Sequence, residues 1–405
     1  MNDRTLVLRN GRVFTACDET VIDRGAVAVR GNVITYAGPE AGLPVQPADT
    51  EVRDVGGRFI MPGMTECHAH LSFADASPFA IGNVSVETAT ITAVRNAELM
   101  LRAGFTAAVS FGSNYRIDVA IRDAQKARRI KGPRLLAAGR DVGATGSNVD
   151  SPGGLSQIAD GPWALRQVVR EQRKAMVDVV KIFVDGENVN PTAPVGELTF
   201  HDDEINAIVD EAHRRGLKVA THSRSAAAVK QALRAGADFI GHANYVDDEA
   251  IAMLAAARDR VFVGPAIAWE VRYLSECESI GISRDTVRAQ GYENEVEVTT
   301  RTMRQLHAKG VRLVVGGDYG IGIAPHGTYA RDLEYFVELF GMRPAEALIC
   351  ATRNGGRMYD PSGRLGTLSA GALADLIVVD GDPLADVRVL QQHARLEVMQ
   401  DGLWV

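Results

Sequence analysis

The feature that most constrains this chain is an alternation that begins near residue 60. Apolar runs end near His68, Gly112, Asp141, Asp185, His222, His242, Ile267 and Asp318, with helical patterns between most of them. The stretches Thr92 to Arg102, Asp203 to Arg215, Ala226 to Ala235 and Asp248 to Arg258 repeat their apolar residues at helical spacing. Eight strand candidates alternating with helices over about 260 residues is the pattern of a (β/α)8, TIM-like barrel in the α/β class. A doubly wound open sheet is the competing layout.

The two ends of the chain read differently. Leu6 to Arg9 meets Asn10-Gly11 before Arg12 to Phe14, and Gly25 to Arg30 meets Gly31-Asn32 before Val33 to Tyr36. Such dipeptides between apolar runs predict hairpins, because those turns need positive φ. Ala374 to Asp380, and Leu396 to Met399 with Asp401-Gly402, return to β character. The ends therefore predict one small β-sandwich domain, formed by 1–60 and 359–405 and split by a barrel over 61–358.

Composition narrows the partners. The 405 residues carry 44 Lys and Arg against 51 Asp and Glu, a net charge of −7, so no basic footprint for nucleic acid or membrane exists. The 46% hydrophobic content argues against wholesale disorder. No secretory h-region and no run of 18 apolar residues is present, and four scattered cysteines offer no CxxC pair. The expectation is a cytoplasmic protein acting on a small molecule.

Only nine histidines occur, and five of them (His68, His70, His222, His242, His326) lie at or just after strand ends. Barrel enzymes place their catalytic groups there. The other four, His201, His213, His307 and His393, fall on helix starts, helix faces or the tail, and read as solvated. In His68-Ala69-His70 the two imidazoles of one strand point the same way, about 6.6 Å apart, and can share a metal. Lys181 sits within Val179 to Asp185, where an ammonium is costly to bury. Either it snorkels from an edge strand, or it has lost its proton and reacted with CO2 to give a carbamate that bridges two cations. His222 and His242 each end an apolar run, and Asp318 follows Gly316-Gly317, which allow close backbone approach.

The set says more than its members. The steps from 70 to 181, 222, 242 and 318 are 111, 41, 20 and 76 residues, which suit the first, fourth, fifth, sixth and eighth strands of a barrel. All six side chains would converge at one mouth. Nitrogen and oxygen donors of this kind suit Zn2+, and Mn2+ or Co2+ less well.

With its flanks, this constellation resembles the amidohydrolase superfamily. Met61-Pro62-Gly63-Met64 before the HxH pair is similar to that family's PG(L/M) approach. Gly366-Thr367-Leu368-Ser369-Ala370-Gly371-Ala372-Leu373-Ala374-Asp375-Leu376 is similar to its GTL-x-x-G-x-x-ADL return. Thr221-His222-Ser223-Arg224, Gly241-His242 and Pro325-His326-Gly327 look closest to the branch of imidazolonepropionases, Xaa-Pro dipeptidases, and phenylurea and molinate hydrolases. The chain departs from the branch in two ways. The GGHGD-type stretch of many dipeptidase-like members is here Gly139-Arg140-Asp141-Val142-Gly143, which speaks against a dipeptide. Lys181 speaks against an imidazolonepropionase, which lacks it.

The resemblance implies two divalent ions, with His68, His70 and Asp318 around one, His222 and His242 around the other, and carboxylated Lys181 between them. It implies a metal-bridging hydroxide that attacks an amide, carbamate or urea C–N bond, with Asp318 as general base. Alternatives are an Xaa-Pro or N-acyl amino acid dipeptidase, a lactam or imide hydrolase, a phosphotriesterase-like hydrolase, and a non-catalytic assembly protein. A homo-oligomer is the family's expectation. Arg224, Tyr245, His326 and Tyr329 are candidate substrate contacts, because each lies shortly after a ligand position. For Arg224 the competing reading is an ion pair with a neighbouring acid. Trp269 either walls the pocket or packs within its loop.

Overall fold

The computed structural model describes residues 4–76, 81–150 and 153–405. Strands from both chain ends form one mixed sheet of eight. From one edge its order is Leu403–Trp404, Leu396–Gln400, Leu376–Val379, Phe59–Pro62, Thr5–Phe14, Val21–Arg30 and Val33–Pro39, with Glu51–Asp54 also paired to Thr5–Phe14. The link between the ends is Leu376–Val379, antiparallel to both Phe59–Pro62 and Leu396–Gln400. Leu8, Val27, Ile34, Ile60, Val378 and Met399 share one buried core there. The ends thus share a β unit, hydrogen-bonded as a single sheet.

Turn chemistry explains most of its path. Gly31-Asn32 closes a two-residue hairpin in which Arg30 pairs with Val33, with Gly31 at φ +60°. Asp401-Gly402 closes another, with φ of +53° and +73°. The expected hairpin at Asn10-Gly11 does not form, and Thr5–Phe14 runs straight through it. The ladder shifts register there, with Asn10 at φ +56°, so the positive φ makes a bulge. On either side of it the strand changes partner, from Glu51–Asp54 to Phe59–Pro62.

The alternating region holds a wholly parallel sheet of six, ordered Ser156–Ile158, Asp141–Gly143, Val179–Phe183, Lys218–Ser225, Phe239–Tyr245 and Phe262–Gly264. A sheet of three contains Met64–Ala69, Phe105–Ser110 and Arg134–Leu136. Among the described residues, seven of the eight expected strands are therefore bonded within two sheets, not in one closed ring. The eighth, over 311–315, forms no continuous strand; it is joined by a bridge from Leu313 to Val263 and by the Cys67 amide donating to the Val315 carbonyl. The run stops early because Gly316, Gly317 and a left-handed Asp318 (φ +59°) turn the chain away.

Helices lie close to their expected places, at Val86–Arg102, Asp202–Arg214, Ala226–Ala235 and Asp248–Ala256. Ser225 and Asp247 cap the last two by accepting from the amides of Ala228 and Ala250. Gly236 ends Ala226–Ala235 in the left-handed conformation that a C-terminal cap requires. Internal contacts divide the chain into Met1–Glu66, Glu98–Ala108 and Gly327–Val405 as one unit, and Cys67–Ala97 with Val109–His326 as the other. No helix among the described residues is long and apolar enough to cross a membrane.

Ile60 is fully buried in the β-unit core. Ile60→Ala is expected to cost about 2–5 kcal/mol of stability, seen as a lower urea midpoint for the unfolding of that unit.

Candidate metal centre

Strand register brings the polar side chains to one level. Phe183 lies opposite His222, His222 opposite Gly241, and Ser223 opposite His242, while Lys181 stands two residues before Phe183. Between Ser223 and Ser225 the partner strand advances three residues, a bulge at His242-Ala243, whose φ values are +75° and +56°. A bulge re-aims a side chain, and left-handed backbone at a non-glycine residue costs about 1–3 kcal/mol. Here it turns His242 toward His222, with ring centroids 4.2 Å apart, and toward His68 at 5.2 Å.

Glycines make the closeness possible. A Cβ on Gly316 would lie 2.7 Å from the His68 amide nitrogen, and one on Gly241 would lie 2.5 Å from the Thr221 carbonyl oxygen. Asp318 follows Gly316-Gly317 and brings Oδ1 to 3.1 Å from His70 Nε2 and 3.8 Å from His68 Nε2. His70 Nδ1 faces the Gly112 carbonyl oxygen at 3.1 Å, a donor–acceptor contact that leaves Nε2 facing Asp318. Two groups have one potential ligand atom per residue within 4.8 Å of each other: His68, His242 and Asp318, and Glu187, His222 and His242.

Burial tunes these groups for metal. It holds the His68, His222 and His242 imidazoles well below the ordinary histidine range, so they are neutral, the form that ligates. Burial would raise Asp318, but His68, His70 and Lys181 outweigh it and keep the carboxylate ionised. Burial also lowers Lys181, against the pull of Asp141, Asp318 and Glu187. Its Nζ sits 4.7 Å from the Phe111 ring centre and 4.8 Å from that of Phe183. Both nitrogens of His242 are buried with no hydrogen-bond partner among the described residues. Orphaned imidazole nitrogens among further histidines and a carboxylate fit a divalent cation.

Above these residues lies a cavity of about 680 Å3. His68, His70, Lys181, His222 and Asp318 line it, and His242 lies behind them, fully buried. Trp269 both walls the cavity and packs against Tyr273, with ring centroids 4.8 Å apart. None of the four expected substrate contacts is among the described lining residues. Arg224 is fully buried, donating from Nη2 to Glu187 Oε1 at 2.7 Å and from Nη1 to Asn244 and Glu295. The guanidinium is held by two carboxylates. His326 is buried, its Nε2 3.1 Å from the Phe73 carbonyl oxygen, and burial pushes its imidazole down to about 3. Tyr245 Oη accepts from Asn188 Nδ2 at 2.9 Å. Tyr329 is buried beside Phe105.

Two acidic residues were missed as candidates. Asp141 and Glu187 line the cavity, and burial pushes each carboxyl up to about 7. Asp141 was visible as a strand end; Glu187 stands on a loop with no motif around it.

A family model described as "Amidohydrolase family" matches residues 59–405. The chain belongs to the amidohydrolase family. It is similar to an ochratoxinase of Aspergillus niger, 26% identical over 93% of this chain and 81% of the relative. An imidazolonepropionase of Rhizobium meliloti is 24% identical over 95% of this chain and 92% of its own length. Among solved structures, a prolidase complexed with N-methylphosphonate-L-proline aligns with a TM-score of 0.87 and 26% identity, covering 99% of each chain. This amidohydrolase is a hydrolase acting on C–N bonds, of the branch its histidine flanks pointed to.

Gly316→Ala in this amidohydrolase is expected to displace His68. Metal content by mass spectrometry should fall severalfold, while the far-ultraviolet circular dichroism stays that of the native fold.

Proposed function

We propose that this amidohydrolase hydrolyses an amide, carbamate or urea bond of a small molecule with the help of two divalent metal ions. The observation that carries the reading is the meeting of His68, His70, His222, His242, Lys181 and Asp318 beneath one cavity. The scaffold is a (β/α)8 barrel. In support, backbone bonds join Val179 to Ala137, Val263 and Val314 across 311–315, and Cys67 to Val315, linking the separate sheets edge to edge. The prolidase alignment supports the same scaffold.

His68, His70 and Asp318 would hold one ion, and His222 and His242 the other, with Lys181 between them. Imidazole and carboxylate donors favour Zn2+, with Mn2+ or Co2+ as substitutes. Burial lowers the pKa of Lys181, which favours the neutral amine whose Nζ lone pair would attack CO2. The new N–C bond and the loss of one N–H proton give a carbamate anion. When bound, the metals act as Lewis acids and lower the pKa of water from 15.7 toward about 7.

The chain's own groups do the rest. Asp318, ionised and fixed beside His70, takes the proton of the attacking water through its carboxylate and passes it to the leaving nitrogen. The buried floor keeps bulk water away and strengthens each electrostatic contact. A second reading, an Xaa-Pro or N-acyl amino acid dipeptidase, draws on the similarity to a prolidase.

Turnover of amides, carbamates and ureas by zinc- or manganese-loaded protein grown with bicarbonate tests the reading. Asp318→Asn is expected to keep most of the metal and lower kcat by about a hundred- to ten-thousand-fold. Near-full activity in that variant would remove Asp318 from the base role. Intact-mass measurement under bicarbonate should show a gain of one CO2 that Lys181→Ala lacks.

A further inference from the structure

Acidic side chains outnumber basic ones among the described residues that line the cavity above the metal centre. Among the described lining residues Asp141, Asp150, Glu187 and Asp318 are acidic, and the one lysine or arginine is Lys181. Lys181 is 1% exposed and lies at the floor between two aromatic rings. Arg224 is committed to Glu187 and Glu295 and has no exposed surface. The remaining walls include Phe73, Leu155, Val189 and Trp269.

Among the described residues that line the cavity, two carboxylate oxygens are left without donors. Asp141 Oδ1 and Glu187 Oε2 are buried and have no hydrogen-bond partner among the described residues. Glu187 is not free to swing, because Arg224 Nη2 fixes its other oxygen at 2.7 Å. A buried acceptor without a donor is costly, and a donor on a bound molecule removes that cost. A carboxylate on the substrate, away from the metals, would find no cationic side chain among the described wall residues and would face Asp150 and the unpaired acceptor oxygens of Asp141 and Glu187.

Resting on the hydrolase reading, we propose that the site selects by charge. It takes substrates whose part remote from the scissile bond is apolar and carries a neutral or cationic N–H donor, received by Glu187 Oε2. It turns away substrates that carry a carboxylate there. This favours amides with a neutral or amine-bearing group at that remote position over amides with a carboxylate there. Glu187 is then a specificity residue and not a metal ligand.

Three amides of one acyl group test this, made from para-carbamoyl-, para-(aminomethyl)- and para-carboxybenzylamine. The para group lies across the ring from the scissile nitrogen, so reactivity at the carbonyl is nearly constant. The carboxylate is expected to have kcat/KM about 100-fold below the carbamoyl compound, with the aminomethyl compound equal or better. In Glu187→Gln the metal content should hold, and the preference for aminomethyl over carbamoyl should drop about tenfold as the loss of one charge contact. Val189→Arg, which adds a guanidinium to the wall, should raise the carboxylate relative to the other two.

Calorimetric binding to metal-loaded Asp318→Asn separates the two claims. If that protein binds the two donor compounds and spurns the carboxylate while the native protein cleaves none, the hydrolase reading falls and the charge rule stands. Equal binding of all three, preference for the carboxylate, or binding of none overturns the charge rule. Loss of metal in Glu187→Gln, or unchanged selectivity with metal intact, removes Glu187 from the specificity role.

Discussion

The register between parallel strands is the constraint on which the rest of the site depends. Three adjacent strands place Lys181, His222 and His242 within a few residues of the same level, because Lys181 pairs with Ala220 and His222 with Gly241. A slip of one residue in any of them would send its ligand to the opposite face of the sheet. The bulge at His242-Ala243 shows how tightly the level is set. The ladder gives up regular pairing, and two non-glycine residues accept left-handed backbone, so that His242 meets His222 and His68. Backbone strain of this kind persists where the surroundings over-determine it, and here they include Gly241, whose missing Cβ leaves space that the Thr221 carbonyl and the Phe111 ring already occupy.

Burial then converts geometry into chemistry. Imidazoles at the surface titrate near neutrality, whereas these are enclosed and stay neutral, and the same enclosure lowers the pKa of Lys181. Asp318 remains ionised in that enclosure because two imidazoles and an amine surround it. One environment thus drives three residue types toward the states that metal binding needs. Aspartates outside the centre do quieter work with the same means. Asp185 accepts from the amides of Arg224 and Ser225, and Asp118 from Ala138, Gly139 and the Ser110 hydroxyl, tying strand ends to the loops that follow.

Much of this was legible in the chain itself. The order of His68, His70, Lys181, His222, His242 and Asp318 along the alternating pattern is readable from period and length, as are the helices between them. Asn10-Gly11 misled because a dipeptide that allows positive φ serves a bulge as well as a turn, and only the partner strands decide which. The eighth strand is shortened to a bridge on one side and one backbone bond on the other because Gly316 and Gly317, which permit close approach, also end the pairing early. Glu187 had no legible signal. It lies on a loop, and what marks it is a neighbour far away in sequence, Glu295, sharing the same guanidinium.

Arg224 illustrates why spacing finds ligands better than substrate contacts. A metal ligand is defined by the strand that carries it, but an arginine goes to whichever carboxylates the fold encloses with it. Glu187, Glu270 and Glu295 would be three acids in one buried pocket without it. Burial and the neighbouring Glu295 already push Glu270 well above the carboxylate range. A buried guanidinium stays charged and offers five donors in a fixed fork, so it satisfies several acceptors at once. Truncating one partner of such a group leaves an uncompensated charge and costs about 3–5 kcal/mol. The cluster is therefore a stable arrangement that orients Glu187 at the cavity wall. In the proposed selection the spare oxygen of Glu187 is the acceptor offered to the ligand, and the positive charge that holds Glu187 stays behind the wall.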